Sequence, residues 1–271
     1  MIDGMSSRMP TLYLPHGGGP CFFMEWTMGP ANTWDRTADW LRSIDGSLPA
    51  KPRAILVVSG HWEEDVPTIL ASEAPPLYFD YHGFPKHTYE LTWPAPGSPT
   101  LAARVAELLS AQGIASKRDT TRGFDHGVFV PLKVAFPDAQ IPTVQLSLQA
   151  GLDPATHLAI GRALAPLRDE GVLIVGSGMS YHNMRGFMSS RGREDSELFD
   201  TWLTAAVQKT PADRDAELAR WSAAPGGRAS HPREEHLLPL MVAAGAGGED
   251  PGTRVFDDVV MGVRVSAVRF G

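Results

Sequence analysis

The sequence predicts an α/β fold, a single layered domain over residues 1–271 with a central mixed, largely parallel sheet flanked by helices. Three observations carry that expectation. Short runs rich in Val, Ile and Leu recur along the chain and end in Gly or Ser, the pattern of strands buried on both faces. Longer amphipathic stretches alternate with them, which argues for strands joined by helices. The 271 residues, 43% hydrophobic and 20% charged, are enough for one sizeable core and weigh against global disorder.

In chain order, TLYLP at 11–15, AILVVSG at 54–60, PTVQLSL at 142–148 and GVLIVGSG at 171–178 read as buried strands. Helices are expected at about 32–44, 99–112, 127–136, 154–169, 194–208, 212–222 and 233–244. The C-terminal FDDVVMGVRVSAVRFG reads as one strand or two, in the second case a hairpin turning near Gly262. The Pro- and Gly-rich stretch 75–99 reads as one long loop, and a loop of that length inside a compact domain is usually functional. Residues 1–9 are expected to be flexible.

Charge and cysteine content narrow the function classes. Lys plus Arg number 24 and Asp plus Glu 31, a net charge of −7, so nothing draws the chain as a whole to nucleic acid or an anionic membrane. The single Cys21 excludes an intrachain disulfide framework and a multi-cysteine zinc site, and it reads as a small buried hydrophobe. No apolar run reaches the roughly 18–20 residues of a spanning helix. The opening MIDGMSSRMP lacks the apolar core of a secretory signal, so a cytoplasmic protein is expected.

The histidines are the informative residues. His16 follows TLYLP and opens HGGGP; His61 follows AILVVSG; His182 lies just past GVLIVGSG. Three imidazoles thus fall beyond the carboxyl ends of three expected strands, the edge where open α/β sheets bind ligands. A single histidine in such a place is more often a packed loop residue, but three in equivalent places point to a site. His236, in HPREEHLLPL, is a fourth, on a helix that Pro232 would start. Neutral imidazole suits zinc, iron and copper, so a histidine metal site is the sharpest expectation.

Other motifs carry less. HPREEH has one residue too many for the inverted zinc-protease pattern, and HGGG has no G-x-S-x-G nucleophile to serve. A phosphate-binding G-x-x-x-x-G-K-[ST] loop is missing. His126, between Gly123 and Gly127 before an apolar helix, reads as an inward-facing acid or base behind the site, with a structural role at the helix start as the alternative. The aromatic loop at 78–93, with His82, His87 and Tyr89, suits an aromatic substrate, although each residue alone reads as loop packing. Lys86, Arg122 and Arg185 could meet a substrate carboxylate but read first as solvated surface charge. His157 is expected on the solvent face of a helix, with no role.

Taken together, LPHGGGP, VVSGHWEE, YHGFP with YELTWPAPG, RGFDHGVFVPLK, IPTVQLSL, GSGMSYHN and HPREEHLLPL resemble, in order, the class III extradiol ring-cleavage dioxygenases, in the branch of 4,5-DOPA dioxygenase-like proteins. The resemblance runs from about residue 10 to the C-terminus. It implies a catalytic domain with a mononuclear non-haem metal held by His16, His61 and His236. His182 would be the base or a further metal neighbour, and His126 a substrate or oxygen contact able to deliver a proton. Better-known members such as protocatechuate 4,5-dioxygenase resemble a pattern of two histidines and one carboxylate, whereas the third position here is His236, with Glu235 expected to point elsewhere on its helix. Fe(2+) is then expected for activity, and Zn(2+) is compatible with three histidines. The implied partners are a small aromatic diol and O2, with no nucleic acid and no membrane; a homo-oligomer stays open. The alternatives are a zinc hydrolase on the same histidines and a non-catalytic binding protein on this scaffold.

Overall fold

The computed structural model describes residues 8–271. The strands are β1 (Thr11–Pro15), β2 (Ala54–Glu64), β3 (Thr68–Leu70), β4 (Lys117–Asp119), β5 (Thr143–Gln149), β6 (Val172–Gly178), β7 (Gly252–Val260) and β8 (Val263–Phe270). The helices are α1 (Asp35–Ser47), α2 (Pro99–Ala111), α3 (His126–Ala135), α4 (Pro154–Leu164), α5 (Ser190–Val207), α6 (Pro211–Ala219), the four-residue α7 (Gly227–Ser230) and α8 (Leu238–Gly247). Local sequence explains several starts. Ser98 and Asp153 accept from the backbone N–H three residues on, just before Pro99 and Pro154, a capped start followed by a residue that needs no donor.

All eight strands join one sheet in the order β4-β3-β5-β2-β6-β1-β8-β7. The four central strands β5, β2, β6 and β1 run parallel. β3 and β8 run antiparallel to their central neighbours, so the sheet is mixed and largely parallel, as expected. Both faces are covered. Leu12, Leu14, Ile55, Val57, Leu173 and Val175 face one core with α1 and α3. Tyr13, Leu56, Val58 and Ile174 face the other, with α2, α4, α5 and α8. That alternation, apolar on both sides, is why these strands read as continuous hydrophobic runs. The C-terminal hairpin turns through Met261 and Gly262, at φ 48° and 80°, a two-residue turn whose positive φ values match strand twist.

The structure corrects several sequence expectations. β3, β4 and α7 are too short to show a period and were not anticipated. Of the N-terminal stretch expected to be flexible, residues 1–7 lie outside the described residues. Met9, however, is buried, with its N–H donating to Arg168 O at 3.0 Å and its carbonyl accepting from Arg168 Nε at 2.6 Å. His157 is fully buried rather than solvent-facing: its Nε2 accepts from Gln149 N–H at 3.1 Å, tying α4 to the end of β5. The expected helix at 233–244 begins only at Leu238. The His236 carbonyl accepts instead from Tyr13 Oη at 2.7 Å and Met179 N–H at 3.1 Å, so it is not free to start a helical ladder. No helix among the described residues is long and apolar enough to cross a membrane.

Candidate metal centre

The carboxyl ends of β2, β6 and β1, neighbours in the sheet, converge on one buried cluster. His16 follows β1 directly, its N–H donating to Gly178 O at 3.0 Å. Gly17 and Gly19 then take φ of 90° and 55°, conformations open to glycine at little cost, and turn the chain back over the sheet. His61 is not beyond its strand but within β2, where the register against β5 slips between Val58 and Glu63. Such an irregularity re-aims a side chain, and here it brings His61 toward His16. His236 arrives from the turn before α8, pressed on β6 where Gly178 leaves room for its carbonyl.

The Nε2 atoms of these three histidines meet. His61 Nε2 lies 3.1 Å from His16 Nε2 and 3.2 Å from His236 Nε2. On the outer side, His16 Nδ1 donates to Gly17 O at 2.8 Å and His236 Nδ1 to Glu235 Oε1 at 2.9 Å. These two rings have thus used their protons facing outward and turn their Nε2 lone pairs toward His61. A proton on His61 Nε2 could serve only one of its two neighbours, so the arrangement calls for a shared cation. Bonds of about 2.0–2.1 Å to imidazole imply N···N separations of about 2.9 Å at right angles and about 3.3 Å at tetrahedral angles. The observed 3.1 and 3.2 Å fall between these values, so the three residues fit a metal ion. Burial, with the neighbouring imidazoles adding to it, holds all three well below the ordinary histidine range, which keeps them neutral and able to ligate.

The two remaining candidates flank the triad. His182 stacks on His236 with ring centroids 3.3 Å apart and planes 14° from parallel. His126 lies against His61, centroids 3.9 Å apart. All five sequence-proposed histidines therefore belong to one cluster. His231, by contrast, is buried behind it with Nε2 donating to Ser180 O at 2.9 Å.

Two carboxylates border the cluster, and sequence reasoning assigned a role to neither. Asp80, on the long 75–98 loop, accepts through Oδ1 from both the Nδ1 and the backbone N–H of His126, at 2.7 and 3.0 Å. Its Oδ2 lies 3.8 Å from His61 Nδ1. Glu235 was expected to point away on a helix; because the segment is a turn, it lies beside His236 and 3.4 Å from His182 Nδ1. Burial raises the pKa of both acids, but hydrogen bonding and charge from His126 for Asp80, and from His182 for Glu235, outweigh it and leave each below its ordinary value. The negative charge missing from an all-histidine donor set thus sits one residue further out. No spacing rule would have found Asp80, which reaches the site only by loop folding.

A second polar group supports the triad from beneath. Asp125 is fully buried and accepts from Ser59 Oγ at 2.8 Å, from Arg122 Nη2 at 3.2 Å and from Gln145 Nε2. Arg122 also donates to His61 O at 3.3 Å and lies between the Trp62 and Tyr78 rings, 4.7 and 5.0 Å from their centroids. It is therefore a structural clamp on His61 and not the solvated charge the sequence suggested. Lys86 is exposed and pairs with Glu90, and Arg185 is exposed. Cys21 is buried, as expected, and burial pushes its thiol well up.

Known proteins resemble this chain along nearly its whole length. Residues 10–268 match the family described as the catalytic LigB subunit of aromatic ring-opening dioxygenase. The 4,5-DOPA dioxygenase extradiol of Portulaca grandiflora is 44% identical over 214 residues, covering 78% of this chain and 77% of its own. Its namesake from Escherichia coli K12 is 37% identical over 95% of this chain and 92% of its own, and the dioxygenase tasH of Hapsidospora irregularis is 37% identical over 98% and 87%. A crystal structure of an uncharacterized Escherichia coli K12 protein superposes with a TM-score of 0.77 at 33% identity, covering 97% of this chain and all of that one. The histidine cluster at the sheet edge thus stands in a chain that belongs to the LigB family of class III extradiol ring-cleavage dioxygenases, in its 4,5-DOPA dioxygenase-like branch, and that is itself an extradiol dioxygenase.

Proposed function

We propose that His16, His61 and His236 hold one Fe(II) ion and that the substrate is a catechol with a DOPA-like side chain, opened to a semialdehyde acid that carries both atoms of O2. The observation that carries this reading is the approach of the His16 and His236 Nε2 atoms to within 3.1 and 3.2 Å of His61 Nε2. Bound Fe(II) would supply open coordination positions for the two catechol oxygens and O2 and pass electrons between them, chemistry for which redox-inert zinc is unsuited.

The chain's own residues do the proton work. His182 is held by its Nδ1 edge near Glu235, which leaves Nε2 to take a phenolic proton. His126, held at Nδ1 by Asp80 and packed against His61, is the residue assigned to deliver a proton to oxygen. Phe84 packs over Gly19, and Tyr81 stands edge-on to His126 at 5.8 Å, so aromatic side chains of the 78–93 loop wall the site from water. Beside His182, a cavity of about 520 Å³ is lined by Asn183, Met184, Arg185, Arg233 and Glu235. It has ample room for the amino-acid tail of such a substrate, and Arg185 and Arg233 in its lining offer cations for the carboxylate.

The test is a catechol panel presented to Fe(II)-loaded protein in oxygenated buffer, scored by the visible absorbance of the ring-opened product. The reading expects a yellow product, with DOPA and related carboxylated catechols ahead of unsubstituted catechol. A ranking led by unsubstituted catechol would overturn the substrate assignment.

A further inference from the structure

We propose that Glu235 is a positioning residue shared by two histidines: one carboxylate oxygen fixes the tautomer and aim of a metal-binding imidazole and of the imidazole that takes the substrate proton. This rests on His16, His61 and His236 being the metal ligands.

The geometry is specific. Glu235 Oε1 lies 2.9 Å from His236 Nδ1 and 3.4 Å from His182 Nδ1, and the two rings are stacked 14° from parallel at 3.3 Å. Two nearly parallel imidazoles that present Nδ1 to the same oxygen must present Nε2 to the same opposite side, where the triad lies. A carboxylate oxygen has two lone pairs and can accept from both rings. The carboxylate is itself anchored: Arg233 reaches Oε2 at 3.3 Å with one nitrogen and Glu63 with the other.

Two consequences follow from one contact. A carboxylate on the outer N–H of a ligand imidazole raises its basicity toward metal and fixes its orientation. The same oxygen holds the proton of neutral His182 on Nδ1, which leaves Nε2 as the acceptor. The main chain of His236 is secured separately by Tyr13 and Met179, so loss of the carboxylate charge leaves the ligand's backbone in place.

The test is a double-mutant cycle on the full chain with Glu235→Gln, His182→Ala and the double variant. Two quantities are read: Zn²⁺ affinity by chelator competition, and kcat at saturating Fe(II). Glu235→Gln is expected to weaken Zn²⁺ binding by about 10–100-fold, in the wild-type and the His182→Ala backgrounds alike. It is expected to lower kcat in the wild type but to lower it no further once His182 is gone. Unchanged Zn²⁺ affinity, or kcat losses that multiply in the double variant, would overturn the shared role. Two zinc ions per chain would also overturn it, by making Glu235 a ligand. If Glu235→Gln does not fold, Glu235→Asp, which keeps the charge and withdraws the oxygen, reads the same two quantities with the same criteria. His236→Ala is run beside them: undiminished Zn²⁺ affinity there would strike the triad itself and not the role of Glu235.

Discussion

Gly178→Ala should damage the metal site without touching any functional side chain. A Cβ at Gly178 would overlap the His236 carbonyl oxygen and come within 3.0 Å of its carbonyl carbon and 3.2 Å of the Tyr13 ring. That carbonyl is held by Tyr13 Oη and Met179 N–H, so the His236 main chain must retreat by on the order of 1 Å to restore ordinary contact, loosening both bonds. Overpacking of this kind costs about 1–3 kcal/mol, or on the order of 5 °C in Tm for a chain of this size. The larger effect is on the site, because a ring displaced by about 1 Å no longer meets its partners, and losing the groups that orient a ligand lowers metal affinity by about 10–100-fold. Thermal unfolding and chelator competition for Zn²⁺ measure the two effects. Gly46→Ala is the control: it lies in α1 with nothing near its Cβ position, so it should be neutral or stabilising by up to about 1 kcal/mol. Wild-type Zn²⁺ affinity in Gly178→Ala would refute the claim that β6 seats His236.

Other expectations are as direct. His16→Ala, His61→Ala and His236→Ala should each lower metal stoichiometry and turnover together, read by elemental analysis and oxygen uptake; full metal content in all three would contradict the ligand assignment. His182→Ala should keep its metal and lose about 10²–10⁴-fold in turnover, and loss of metal with turnover would make His182 a ligand. The apoprotein should lose stability as pH falls below the ordinary histidine range. Burial pushes His231 down to about 3, so the unfolded chain takes up this proton first and stability drops between about pH 6.5 and 3, by about 2 kcal/mol at pH 5. Tm measured against pH should show a shallower fall in His231→Phe, and an equally steep one would assign the acid sensitivity elsewhere. The same sign applies to metal: with His16, His61 and His236 depressed, protons displace the ion only below about pH 6.5.

The central strands were legible because burial on both faces makes them unbroken apolar runs, and the starts of α2 and α4 because Ser98-Pro99 and Asp153-Pro154 are local signals. The five histidines were legible because three of them mark the same edge of the sheet. What escaped is tertiary. β3 and β4 have three residues each, too few for periodicity. The start of α8 was misplaced because the His236 carbonyl is claimed by Tyr13 across 223 residues. That displacement is also why Glu235 was read as pointing away. Asp80 lies in an irregular loop, and Arg122 looks like any loop cation until Trp62 and Tyr78 enclose it.

The central claim is that this histidine cluster, loaded with iron, cleaves a catechol ring with both atoms of O2. The most direct measurement is oxygen uptake by protein loaded anaerobically with Fe(II), given DOPA in ¹⁸O-labelled oxygen, with a zinc-loaded sample in parallel and the product mass recorded. The account predicts equimolar consumption of oxygen and catechol, one labelled atom kept in the new carboxylate and the other in an aldehyde that exchanges its oxygen with water, and no turnover with zinc. Iron-loaded protein that consumes no oxygen with DOPA or any other catechol would contradict it.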